Sequence, residues 1–151
     1  MKIESMTIRQ ALKQKNKLVQ ELRELNTRLT ANNSIIEGNT RDYSAKETLS
    51  DIYIKVNELT VLKTKIHRAN TPVYDKIFLL SELKSLAQSL RNLDCTNGIA
   101  QDFYSRRSET QVIKTSEISV QAKDNEVKFL ETRIEQIQDE LDQFNATTTI
   151  E

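Results

Sequence analysis

Apolar residues recur along most of this chain at alternating steps of three and four. Ile8, Ala11, Lys15, Leu18, Leu22, Leu25, Leu29, Asn32 and Ile36 mark out that spacing, the seam of a helix that packs against partners at coiled-coil angles. It predicts a first helix from about Thr7 to about Ile36, roughly 45 Å long at 1.5 Å per residue. Gly38 and Asn39 stop that helix, and Ser44 with Glu47 reads as a capping box opening a second over 45–69. The second stripe is Leu49, Ile52, Val56, Leu59, Leu62, Ile66 and Ala69, with an extra three-residue step at Leu62 that would overwind a coiled coil. Thr71 as a cap and Pro72 at a first helical position open a third helix over 72–94. Leu79, Leu83, Leu86, Leu90 and Leu93 line it, while Ile77, Phe78 and Leu80 widen its apolar face, so it is expected to be the most buried helix. Asn97 and Gly98 end it. A fourth helix over 120–144 carries Val120, Val127, Leu130, Ile134, Ile137, Leu141 and Phe144, and 146–151 is expected to be a disordered tail.

Between the third and fourth helices the helical pattern lapses. In "FYSRRSETQVIKTSEISVQ", Phe103 to Gln121, the apolar positions Val112, Ile113, Ile118 and Val120 alternate well enough for a strand. A lone strand leaves backbone donors and acceptors without partners, and the same strand of a second chain would supply them. These four residues are therefore a candidate oligomer strand, and a dimer or higher even-numbered oligomer is expected. The competing reading takes Tyr104, Arg106, Arg107 and Lys114 as a basic patch, its guanidinium forks holding a phosphate or carboxylate and Tyr104 stacking on a base.

The fold class is all-α: an antiparallel four-helix bundle or long coiled coil with a short strand-like insert before the last helix, in a single domain over 1–145. Composition agrees, since 151 residues with only two glycines, one proline and 5% aromatics leave little for the turns of a sheet protein. Lysine plus arginine balance aspartate plus glutamate at 22 each, so there is no overall field to attract nucleic acid or an anionic membrane. The balance is uneven locally. Residues 1–33 hold seven basic side chains against three acidic, and residues 121–145 hold three against seven. Complementary charge of that kind selects helix partners, so the fourth helix is expected to close on the first.

Chemistry is sparse. The lone His67 and lone Cys95 lie 28 positions apart with a helix end between them, and the histidine reads as a helix C-terminal residue favoured by the dipole. Glu21, Glu24, Glu58 and Glu82 lack the Glu-x-x-His repeats of bundle di-metal sites, and Gly38 and Gly98 stand alone, unlike a phosphate-cradling loop. No catalytic residue, metal or cofactor is expected, and the protein is read as a non-enzyme. "MKIESM" has no signal-peptide core, and no run of 18 apolar residues follows. A cytoplasmic protein without a membrane span is the expectation, with Met6 as a second candidate start.

Three stretches resemble a family of small bacterial coiled-coil proteins without established activity, some of which carry the label septicolysin. They are "LNTRLTANNSIIEGN", with Arg28, Asn32, Glu37 and Gly38 at the family's turn after helix one; "KIHRANTPV", with Ile66 to Asn70 at the end of helix two; and the insert from Ser108 to Lys114. The sequence departs from the pattern at His67 and Ala69, and at Asn145-Ala146 where the family ends in Asn-Trp. The resemblance implies a helical protein, and its label implies cytolysis. The residues themselves point to a non-enzymatic, homo-oligomeric scaffold or interaction protein with a protein partner. A nucleic-acid or anion-binding module using the basic first helix and the Arg106/Arg107 patch is the second reading.

Overall fold

The computed structural model describes residues 5–101 and 111–151. Helices make up 73% of the described residues, which bears out the mostly-α expectation. There are four α-helices, α1 (Ile8–Asn33), α2 (Ala45–Ala69), α3 (Tyr74–Arg91) and α4 (Val120–Thr147), with a short antiparallel pair, β1 (Gly98–Gln101) and β2 (Gln111–Lys114), before the last. The chain divides into two compact units: the residues up to Tyr74 together with Asp142–Glu151, and Asp75–Leu141.

In the first unit α1 and α2 form a helical hairpin. Thr7 caps α1 reciprocally: its hydroxyl oxygen accepts from the Gln10 N–H at 3.2 Å, and the Gln10 side-chain oxygen accepts from the Thr7 N–H at 2.9 Å. Ile8, Ala11, Leu18 and Asn32 are buried along the predicted seam. The helix stops at Asn33, three residues early, and Ile36 is exposed. Arg41 accounts for the stop, because its guanidinium donates to the Asn32 and Asn33 carbonyls at 2.7 and 2.9 Å and satisfies oxygens that further helical turns would have used. Gly38 then occupies the third position of a turn closed by the Asn39 N–H on the Ile36 carbonyl. Its φ of 88° is the left-handed value that position needs.

The seam of α2 differs from the expected stripe. Ala45, Thr48, Ile52, Lys55, Leu59, Leu62, Ile66 and Ala69 are buried or half-buried in regular three-four steps with no irregular step at Leu62, Lys65 is half-buried beside them, and Leu49 and Val56 are exposed. Polar residues hold two seam places because each is satisfied there. The Thr48 hydroxyl donates to the Ser44 carbonyl at 2.8 Å, and Lys55 lies 3.3 Å from Glu21 and 3.1 Å from Glu58. Thr71 also departs from expectation, since its hydroxyl donates back to Arg68 and closes α2. Pro72 sits in a short 3-10 turn, Thr71–Val73, ahead of α3.

The C-terminal residues are not a disordered tail. Thr7 and Thr149 form an antiparallel bridge, with the Ile8 N–H on the Thr148 carbonyl at 2.9 Å and the Ile150 N–H on the Met6 carbonyl at 2.8 Å. The start of a helix has N–H groups without intrahelical partners, and the tail's carbonyl takes one of them.

In the second unit α3 and α4 run antiparallel, tied by Lys76–Glu140 and Arg91–Glu131 at 2.7 and 2.8 Å. Val127, Leu130, Ile137 and Leu141 of α4 are buried as predicted. On α3, however, Leu80 and Ala87 are buried while Leu79 and Leu86, like Leu93 just after the helix, are exposed, so it is not the most buried helix. Lys76, Leu80, Ala87 and Arg91 share one helical face, and the two ion pairs bracket it. Leucine content alone did not identify that face.

Candidate interaction surface

The expected strand carrying Val112, Ile113, Ile118 and Val120 is shorter than its apolar pattern suggested. Val112 and Ile113 belong to β2, but Ile118 lies in a bend and Val120 is the first residue of α4. Ser119 makes the difference: its hydroxyl accepts from the Ala122 N–H at 3.1 Å and its carbonyl from the Lys123 N–H at 2.9 Å, starting the helix there. β2 also has a partner within the chain, Ile99 facing Ile113 and Ala100 facing Val112. One edge of β2 is thus satisfied without a second molecule. Sequence reading missed β1 because "GIAQ" carries no alternation and follows a helix stop signal.

Tyr104, Arg106 and Arg107 lie outside the described residues. Lys114, the fourth member of the expected basic patch, is engaged. Its ammonium is 2.7 Å from Asp94 Oδ2, and the other oxygen of Asp94 accepts from the Thr96 N–H at 2.9 Å and from its hydroxyl. Hydrogen bonding to Lys114 first, then to Thr96, holds the Asp94 carboxyl well below the ordinary carboxylate range. The pair links the segment leaving α3 to the far strand of the hairpin. On the hairpin, Ala100 and Val112 are half-buried, whereas the facing pair Ile99 and Ile113 is largely exposed.

His67 lies in the last turn of α2, as expected, and the Tyr74 hydroxyl lies within hydrogen-bond distance of both its carbonyl oxygen, at 2.8 Å, and its Nδ1, with the rings 5.1 Å apart. Glu21 and Glu58 converge on Lys55, whose pKa is raised by the hydrogen bond it donates to Glu58 and then by the one it donates to Glu21. Among the described residues no three histidine, cysteine, aspartate or glutamate side chains gather as a metal-binding group. No described helix is long and apolar enough to cross a membrane. Asn32, in the turn that carries the family resemblance, donates to the Arg28 carbonyl at 2.8 Å and accepts from the Tyr43 N–H, while the Arg28 guanidinium lies 4.0 Å from the centre of the Tyr43 ring. Those motif residues build a turn.

Two rows of apolar side chains are exposed. Beside its packed seam, α2 presents Leu49, Tyr53 and Val56 at i, i+4, i+7, and α3 and the residues just after it present Leu79, Leu86 and Leu93 at i, i+7, i+14. Leu93 apart, each set is a second stripe on a helix whose first stripe is already used.

No family model matches the chain, and neither does any curated protein. Among solved structures it is similar to the crystal structure of a functionally unknown conserved protein from Corynebacterium diphtheriae, with a TM-score of 0.77 and 18% sequence identity over 98% of this chain and 100% of that one. The two share a fold.

Proposed function

We propose that the protein is a non-enzymatic helical scaffold or interaction protein that acts as a homo-oligomer. The supporting observation is the pair of second apolar stripes, on α2 and on α3 with its following residues, which remain exposed after the seam of each helix is packed. Large apolar stripes of regular helical spacing are costly to leave in water and mark contact surfaces. The exposed Ile99/Ile113 pair adds to this, since a two-stranded hairpin is marginal without further cover.

Size-exclusion chromatography with light scattering, over a wide concentration range and at low and high salt, tests the reading. A mass of two or more chains that persists in high salt is expected. A monomer at every concentration would sink the oligomer. Co-elution of nucleic acid, released steeply with salt, would replace this reading with polyanion binding through the basic α1 and the Arg106/Arg107 segment.

A further inference from the structure

The two exposed stripes differ in charge. On α2, Lys46 and Lys63 flank Leu49, Tyr53 and Val56, three residues before the first and seven after the last, while Glu47, Asp51 and Glu58 fall on other faces of the helix. On α3, Asp75 and Glu82 lie four before and three after Leu79, in the leucine row itself. Lys76 and Arg91 sit elsewhere, paired with Glu140 and Glu131. Lys46, Lys63, Asp75 and Glu82 are exposed and make no ion pair among the described residues. One stripe is therefore apolar and basic, the other apolar and acidic.

We infer that the occupant of each stripe is the other stripe of a second copy of this chain, the α2 face of one protomer lying on the α3 face of its partner. The inference rests on the homo-oligomer reading and specifies its contact. Complementary charge sets the pairing, because α2 on α2 would oppose lysines and α3 on α3 would oppose carboxylates, whereas α2 on α3 opposes unlike charges. Apolar area supplies the affinity, counted stripe by stripe and without reference to how the two units of a chain are placed. The six apolar residues expose between 38% and 66% of their surface, which at ~200 Å² per large side chain is about 550 Å² per chain. Covering all four stripes of a pair of chains would remove roughly 1,100 Å² of apolar surface, against about 900 Å² in a standard interface of ~1,600 Å² that is a little over half apolar. Covering only two of them would fall short of a stable dimer.

The test is a charge exchange between chains, followed by sedimentation. One variant carries Lys46→Glu and Lys63→Glu, the other Asp75→Lys and Glu82→Lys, all at exposed positions, with circular dichroism confirming that helix content is unchanged. Each variant alone is expected to dimerise on the order of tenfold or more weakly than the wild type, as like charges then face each other. An equimolar mixture of the two should regain wild-type affinity as a mixed dimer. A wild-type oligomer that tolerates both variants, or a mixture that does not recover, overturns this contact and leaves the oligomer reading standing. A wild-type monomer at all concentrations overturns both.

Discussion

Leu80 and Leu86 lie six residues apart on α3 and are chemically identical, so truncating each to alanine reads out which face of the helix packs. Leu80 is 8% exposed and Leu86 is 47% exposed. Burying a whole leucine is worth about 1.5–3 kcal/mol, and the cavity left by truncation adds to that, so Leu80→Ala should cost about 2–5 kcal/mol. Leu86 keeps roughly half of its surface in water, and a surrounding open to solvent leaves little cavity. Leu86→Ala should therefore cost about 1 kcal/mol, partly offset by the better helix propensity of alanine. Urea unfolding followed by circular dichroism, at a concentration low enough to keep the chain monomeric, measures both. Equal losses, or a larger loss at Leu86, would mean that the leucine stripe is the core and that the face bracketed by Lys76 and Arg91 is not. At high concentration the two should diverge differently: Leu86→Ala loses association and Leu80→Ala loses folding.

Asp94→Asn should remove a pH dependence. The folded carboxyl is depressed, so its contribution to the hairpin is present above the ordinary carboxylate range and lost as pH falls through the depressed folded value; protection of the Gly98–Gln101 and Gln111–Lys114 amides, relative to their intrinsic exchange rates, should fall on acidification in the wild type and be low already at neutral pH in the variant. Gly38→Ala meets no neighbour within 4 Å but must adopt a φ of 88°, and is expected to lose about 1 kcal/mol of stability by urea titration through backbone strain alone. Deleting Thr148–Glu151 should raise exchange at the Ile8 amide, which donates to the Thr148 carbonyl; unchanged protection there would show that the terminal pairing contributes nothing.

The legible parts of the fold were those in which apolar spacing and packing coincide. The seams of α1 and α4 are mostly aliphatic, and apart from Ile36 and Val120 at their ends the structure buries or half-buries them where the period placed them. On α2 and α3 the sequence holds two apolar stripes side by side. Hydrophobicity then cannot decide between Leu49 and Thr48, or between Leu79 and Leu80, because the choice is made by groups three or more residues away that satisfy a hydroxyl or bracket a face with ion pairs. The docked tail was illegible for a related reason. Its contacts with Met6–Ile8 are backbone hydrogen bonds, which any sequence but proline can make and which "NATTTIE" therefore does not advertise.

The same polar seam residues explain why α1 and α2 meet in one alignment. A seam made only of leucine would tolerate slippage by a heptad, whereas a buried polar residue is satisfied in one register alone. Lys55 reaches Glu21 across the hairpin, and the Tyr43 N–H reaches the Asn32 side chain near the turn, with Arg41 closing the end of α1. Sliding α2 by one heptad would separate Lys55 from Glu21 and strand the Asn32 oxygen in a half-dry site, a cost that falls on the wrong alignment and not on the right one. The outer stripes carry no such markers within their apolar rows on α2, and on α3 the only charges in the row are Asp75 and Glu82. Under the proposed pairing, the alignment of those faces is set by the charges of the opposing copy, which is why charge, and not apolar spacing, is the variable to change first.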